Sequence, residues 1–223
     1  MHVVYFATMN TPVVMTETTS QDAPREESRG SFALYVILAL GLALLIRSFI
    51  AAPYIVSGSS MENTFFGGDY LITDRFSYRM NPPERGDVVV FCLPSSDPCA
   101  FSERIQAGLW TPPRTLIKRI IGLPGETITV NAAGVSVSNA EHPEGLVLSE
   151  PYLSPENLGG PSNITVTLDA GEYFVLGDNR RVSSDSRTWG ALPQENIIGG
   201  VFVRLFPFSQ IGIRPGNATY DTR

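Results

Sequence analysis

One segment constrains this chain more than any other: Phe32 to Ile46 is an unbroken apolar run. With Arg47, Ser48 and Phe49-Ile50-Ala51-Ala52 it extends to about 21 residues, the length a helix needs to cross a ~30 Å hydrocarbon core. It has no polar face, which sets it apart from a helix that covers a soluble core. A cleaved secretory signal is the other reading. Phe49 and Ile50 spoil the small-x-small pattern such a signal ends on, and the leading tail is long. The expectation is one transmembrane helix over 31–52. Arg47 stands near its end, where the side chain can snorkel to the interface. Arg25 and Arg29 flank its N-terminal side, and the next basic residue after Arg47 is Arg75. The positive-inside rule then puts the N-terminus in the cytoplasm and the body outside.

Residues 1–30 are rich in Thr and Ser without apolar periodicity, and read as a disordered cytoplasmic tail whose start is Met1 or Met15. Beyond the anchor, roughly 170 residues fit one domain. Charged residues are only 17% of the chain, against 20 Gly and 17 Pro, which suits a β-rich, turn-rich body. Short β-like runs recur between turn signals, at Asp69–Asp74, Asp87–Phe91, Thr115–Ile121, Thr127–Val137, Ile164–Leu168, Glu172–Leu176 and Gly200–Phe206. No amphipathic helix of useful length follows the anchor, so the fold class is an all-β catalytic body of antiparallel sheets. The pattern divides it into a catalytic β domain over 53–130 and 171–214, an inserted β-rich subdomain over 131–170, and a tail over 215–223. Leu93–Pro113 looks like a second insertion.

Several chemistries are excluded early. The net charge is −6 with no basic patch, so nucleic acid is not an expected partner. The chain has two histidines and two cysteines, too few for a structural zinc site; no metal and no cofactor are expected. His142 sits in a polar, turn-like stretch, and His2 lies in the N-terminal tail. Cys92 and Cys99 bracket a short loop, and outside the cytoplasm they are expected to close as a disulfide worth roughly 2.5 kcal/mol. Two free buried thiols are the alternative.

Without a usable histidine, a nucleophile needs another base. Lysine can serve if it is neutral, and burial lowers its pKa because it disfavours the ammonium. Moving it from ~10.4 to about 7–8 takes roughly 3.5–4.5 kcal/mol. The signature to look for is a lysine inside an apolar strand, together with a serine on a tight turn. Lysine is scarce here, and Lys118 is embedded in Thr115-Leu116-Ile117-Lys118-Arg119-Ile120-Ile121. Alternation puts Leu116, Lys118 and Ile120 on one face and Ile117, Arg119 and Ile121 on the other. An edge lysine guarding against aggregation is the plainer reading of that segment alone. Val56-Ser57-Gly58-Ser59-Ser60-Met61-Glu62-Asn63-Thr64 has the small residues of a tight turn exposing a serine. Gly177-Asp178-Asn179-Arg180 and Ser183-Ser184-Asp185-Ser186-Arg187-Thr188-Trp189-Gly190 form the third segment, which alone reads as a turn with a surface salt bridge.

Taken together, in this order and after an apolar anchor, these segments resemble the bacterial type I signal peptidases. Ser60-Met61-Glu62-Asn63-Thr64 matches the family's Ser-Met-x-Pro-Thr box except that Asn63 replaces proline. Arg85-Gly86-Asp87-Val88-Val89, Lys118 to Glu126 and Gly177 to Gly190 resemble its later boxes. The resemblance implies Ser60 as nucleophile and Lys118 as general base. It implies that Ser183 orients the lysine amine and that Asp185 and Arg187 form a bracing ion pair. It further implies an oxyanion hole from the Ser60 backbone N–H, helped in many members by a serine hydroxyl at the position of Gly58; here Gly58 supplies backbone only, or Ser59 or Ser57 substitutes. Arg181-Val182 departs from the family's usual Asp-Asn. Val56 and Ile117 are implied as pocket walls, with Phe65 as a further candidate. The implied substrates are signal-peptide-bearing preproteins cut after small residues of Ala-x-Ala type, bound extended against strand edges. The implied setting is the bacterial inner membrane, single-pass, with the lipid bilayer as second partner. A peptidase dedicated to one conjugation or pilus substrate and a catalytically impaired membrane scaffold of the same fold are the alternatives. A self-cleaving repressor-type protein would lack the anchor.

Overall fold

The computed structural model describes residues 29–93, 115–157 and 163–220. The chain divides into two units, 1–41 and 42–223. Helix α1, Arg29–Phe49, spans 21 residues, and the side chains described on it, those of 31–45, are exposed. Among the described residues no helix is long and apolar enough to cross a membrane. The helix also stops short of the expected Ala52. Ala51–Ile55 is strand β1 instead, because Pro53 has no N–H to continue a helix. As an edge strand β1 tolerates that proline, pairing only with β2, Tyr70–Asp74.

The body is antiparallel. A short helix α2, Ser77–Met80, leads to β3, Val88–Cys92, and β4, Thr115–Gly122. The strands β5, Thr127–Asn131, β6, Gly134–Ser138, and β7, Leu146–Val147, come next. After β8, Ile164–Thr167, and β9, Glu172–Leu176, a four-residue helix α3, Ser186–Trp189, precedes β10, Leu192–Pro193. The chain then runs through β11, Ile197–Phe206, and β12, Gly212–Ile213. The larger sheet has eight strands in the order β1-β2-β11-β3-β4-β9-β10, with β12 on β11; the smaller runs β7-β6-β5-β8.

The patterning explains both sheets. Val88–Cys92 is apolar without interruption and buried at every position. Val88 and Val90 pack with Val56, Met61, Phe65 and Leu71, while Val89 and Phe91 pack with Ile120, Tyr173 and Val175. Alternate residues of one strand thus enter separate clusters, as expected where both faces of a sheet are covered. The smaller sheet alternates strictly, with Ile128 and Val130, and Val135 and Val137, buried between half-exposed neighbours. Its apolar side joins Ile121, Phe174 and Leu176 of the larger sheet in a third cluster.

Three expectations change. Thr127–Val137 is two strands of a hairpin, paired from Thr127 with Ser138 to Asn131 with Gly134; Asn131 Oδ1 accepts from the Ala133 N–H at 2.8 Å and turns the chain. The second sheet therefore starts at Thr127 and not at 131. Residues 215–220 are not a loose tail, since the Ala218 N–H donates to the Gly86 carbonyl at 3.3 Å. Leu93–Pro113 falls almost entirely outside the described residues. So does Cys99; its expected partner Cys92 is disulfide-bonded.

Candidate active site

Strand β4 carries Lys118 into the body opposite Val89. Only 2% of its surface is accessible. The amine Nζ donates to the Ile117 carbonyl at 2.8 Å and lies 2.6 Å from Ser60 Oγ. Burial pulls its pKa down, the charges of Asp185 and Asp178 oppose this, and burial prevails: the value falls from 10.5 to about 8. At a pKa of about 8 roughly a tenth of the amine is neutral at pH 7, against well under a thousandth for an ordinary lysine, and that fraction is able to accept a proton. Lys118 is also the only lysine in the chain.

Ser60 sits on a tight turn. The Glu62 N–H donates to the Ser59 carbonyl at 3.1 Å, and the Phe65 N–H to the Met61 carbonyl at 2.8 Å. Met61 and Phe65 are buried at 1% and 0% exposure and anchor the turn from below. From the far side the Asn179 N–H donates to the Ser60 carbonyl at 3.0 Å. The turn's end is tied by Thr64 Oγ1, which donates to Asp178 Oδ2 at 2.5 Å. Asp178 in turn receives Arg119 Nε at 2.9 Å and Nη2 at 2.6 Å, a bidentate pair with both partners buried. One ion pair thus joins the lysine strand, the serine turn and the segment after β9.

The model of the family described as signal peptidase, peptidase S26, matches residues 29–206. The chain belongs to this family. A probable signal peptidase I-1 of Synechocystis is 39% identical over 178 residues, 79% of this chain and 82% of that one. Signal peptidase I of Leptolyngbya laminosa is 37% identical, over 86% of this chain and 84% of its own. Signal peptidase I of Mycobacterium tuberculosis is 30% identical, over 86% and 78%. A crystal structure of a signal peptidase I from Enterococcus faecalis covers 54% of this chain and 97% of that one, at 29% identity and a TM-score of 0.40. The chain is accordingly a peptidase of the signal peptidase I group, a serine protease and a hydrolase.

Asp185 and Arg187 are paired, with Nε and Nη2 each 2.8 Å from the carboxylate. Asp185 also accepts from the Gly177 N–H at 3.0 Å, which fixes the chain beside Ser60. Ser183 is nearby but does not meet the lysine: among the described residues its buried Oγ has no hydrogen-bond partner. The Val182 N–H closes a turn onto the Asn179 carbonyl at 3.1 Å. That turn sets Ser183 against Gly177, where an added Cβ would stand 2.2 Å from Ser183 Oγ and 2.5 Å from the Ser60 carbonyl oxygen.

Gly58 has φ +87°, a conformation side-chain-bearing residues avoid. Its backbone shape is thus a reason for glycine at this position. Ser57 and Gly58 are exposed and Ser59 is half-buried. Asn63 has φ +84°, out of reach of the proline it replaces. Val56 and Ile117 pack in one cluster around Met61, beside the serine and the lysine. Phe65 is wholly buried, with the Arg204 guanidinium 4.7 Å from its ring, and is core rather than pocket wall. His142 is engaged with Glu144 at 3.5 Å.

Arg119, Asp178, Thr64 and Asn179 were given no role from sequence. The signal was present, because an arginine inside an apolar strand must have a buried partner.

Proposed function

We propose that this chain is a membrane-anchored serine endopeptidase that removes N-terminal signal peptides from exported preproteins, with Ser60 as nucleophile and Lys118 as general base. The observation that carries the reading is a buried amine 2.6 Å from a serine hydroxyl, with its pKa lowered to about 8. Neutral Lys118 takes the Ser60 hydroxyl proton as Oγ attacks the scissile carbonyl carbon. The resulting ammonium gives that proton to the departing amine when the peptide C–N bond breaks. Water then attacks the acyl-enzyme ester, loses its proton to Lys118, and Ser60 leaves as the hydroxyl. Oxyanion stabilisation falls to the Ser60 backbone N–H. Ser183 supports the lysine if its turn rearranges when substrate binds.

The geometry of β4 favours an extended substrate. Strand β3 pairs with it from Thr115 to Arg119 on one side, whereas β9 pairs only from Arg119 onward on the other. Among the described residues Thr115–Lys118 therefore offers an open strand edge leading to the amine, suited to β-addition. Val56 and Ile117 would flank the small side chains of an Ala-x-Ala site.

The anchor is the apolar run that starts at residue 31 and ends with helix α1 at Phe49, with the N-terminus cytoplasmic and the body, from β1 onward, beyond the bacterial inner membrane. What supports it is the apolar run itself, helical over Arg29–Phe49, with basic residues before it. A disulfide at Cys92 suits an oxidising compartment. A membrane-impermeant protease added to spheroplasts should degrade the body, and full protection would sink this topology. For the activity, the detergent-solubilised protein is incubated with a precursor and the new N-terminus is sequenced. A single cut after a small-x-small site, absent with Ser60→Ala, is expected. Cleavage by Ser60→Ala would refute the assignment.

A further inference from the structure

The family match ends at Phe206, yet the chain beyond it reaches the site. The Gly216 carbonyl accepts from Arg119 Nη1, on the residue next to Lys118. Asn217 Nδ2 donates to Asp87 Oδ1 at 2.9 Å. Packing against the start of β3 is so close that a Cβ on Gly86 would stand 1.8 Å from the Ala218 carbonyl oxygen. Tyr220 closes the segment. Its hydroxyl lies 2.6 Å from that of Tyr152, with the rings edge to face at 6.3 Å. Tyr152 donates to Glu150 at 2.7 Å, so Tyr220 is the donor to Tyr152. The Tyr152 ring lies 3.9 Å from the Arg119 guanidinium carbon, a cation–π contact. Burial, with Tyr220 and Glu150 adding to it, holds the Tyr152 phenol above its ordinary range, so it keeps the proton it donates.

We propose that Gly216–Tyr220 is a positioning element of the active site, in which Tyr220 holds Tyr152 on Arg119 and thereby fixes the spacing of Ser60 and Lys118. The proposal rests on the Ser60–Lys118 reading. The route is short. Arg119 holds Asp178, Asp178 holds Thr64 at the end of the serine turn at 2.5 Å, and Asn179 holds the Ser60 carbonyl at 3.0 Å. With the Gly216 acceptor and the Tyr152 face in place, the guanidinium has one position, and so do both ends of the turn relative to β4. The charges acting on Lys118 are Asp185, paired with Arg187, and Asp178, paired with Arg119. A displaced Arg119 leaves Asp178 less neutralised, and its charge then raises the proton affinity of Lys118.

The test compares kcat, KM and pH profile, on one precursor peptide between about pH 6 and 10, for the full chain, Tyr220→Ala, Tyr220→Phe and a stop after Pro215. Tyr220→Ala and the truncation should lose about tenfold to a hundredfold in kcat with KM little changed, and the midpoint of their pH profile should rise. Tyr220→Phe, lacking one oxygen, should move the same way by less. Wild-type kcat and midpoint in a folded Tyr220→Ala would overturn the proposal. If circular dichroism shows that the larger changes unfold the protein, Tyr220→Phe decides. Wild-type kcat and midpoint there would mean that the segment only stabilises the fold, and the proposal fails. Ser60→Ala, run alongside, separates the two readings. Its cleaving would sink the dyad, whereas inactive Ser60→Ala with unaffected Tyr220 variants sinks only this inference.

Discussion

Lys118 and Arg119 are consecutive on β4 and are buried to 2% and 0% exposure, yet the two faces of the strand treat them in opposite ways. On both faces burial works against the charge. Around Arg119 the hydrogen bonds and charge of Asp178 outweigh it, and its pKa rises. Around Lys118 the charges of Asp185 and Asp178 act without a direct contact, burial wins, and the pKa falls to about 8. A carboxylate in contact makes a brace, and a hydroxyl and a carbonyl in contact make a base. The strand therefore separates chemistry from support by one residue.

The largest effect that tests this contrast is on activity. Lys118→Arg keeps the charge and much of the length, but arginine does not deprotonate in proteins. Cleavage should fall by about 10⁴-fold or more, as on loss of a catalytic group, with the fold retained. Substantial cleavage by this variant at any pH would break the contrast.

Next is the brace. Asp178→Asn leaves a buried guanidinium without its counter-charge and should destabilise the protein by about 3–5 kcal/mol in denaturant titrations. An unchanged midpoint would mean that the pair does not hold the turn.

The lysine should show the reverse sign. Its folded pKa of about 8 lies below the unfolded 10.5, so the unfolded chain binds the extra proton between those values. Stability should rise as pH goes from about 8 to about 10.5, and the penalty, about 3 kcal/mol, is fully present below 8. Lys118→Met should be inactive yet more stable than wild type near pH 7, by about 1–3 kcal/mol, with the difference shrinking toward pH 10.5. A less stable Lys118→Met at pH 7 would contradict a burial penalty.

The smallest effect concerns Gly58. Gly58→Ser forces a side chain into φ +87° and should cost about 1 kcal/mol without raising turnover. Faster turnover in Gly58→Ser would mean that the turn relaxes and the hydroxyl finds a use.

How much of this was legible in the sequence depended on whether the signal was local. The strands expected at Glu172–Leu176 and Thr115–Ile121 were readable, the second to within one residue of its end, because an apolar run rich in β-branched or aromatic residues reports its own burial. Ser60 and Lys118, which lie 2.6 Å apart, stood out only through the resemblance their segments carry together, because each segment alone also reads as ordinary structure. The end of helix α1 was half legible: Pro53 is a local signal that the helix stops, but only pairing with Tyr70–Asp74 makes Ala51–Ile55 a strand. The hairpin at Ala132-Ala133 was missed because two alanines give little turn signal. Phe65 was offered as a pocket wall because exposure is set by residues far along the chain. The same distance hid residues 215–220, whose partners are Gly86, Arg119 and Tyr152.

The proposed chemistry needs a neutral Lys118 to be within reach near physiological pH. Because it is the chain's only lysine, protein labelled at lysine Cε gives a single side-chain resonance, which can be followed by NMR as pH is raised. A titration midpoint near 8 is expected for the buried amine beside Ser60. A midpoint at or above 10.5, the ordinary lysine value, would contradict it.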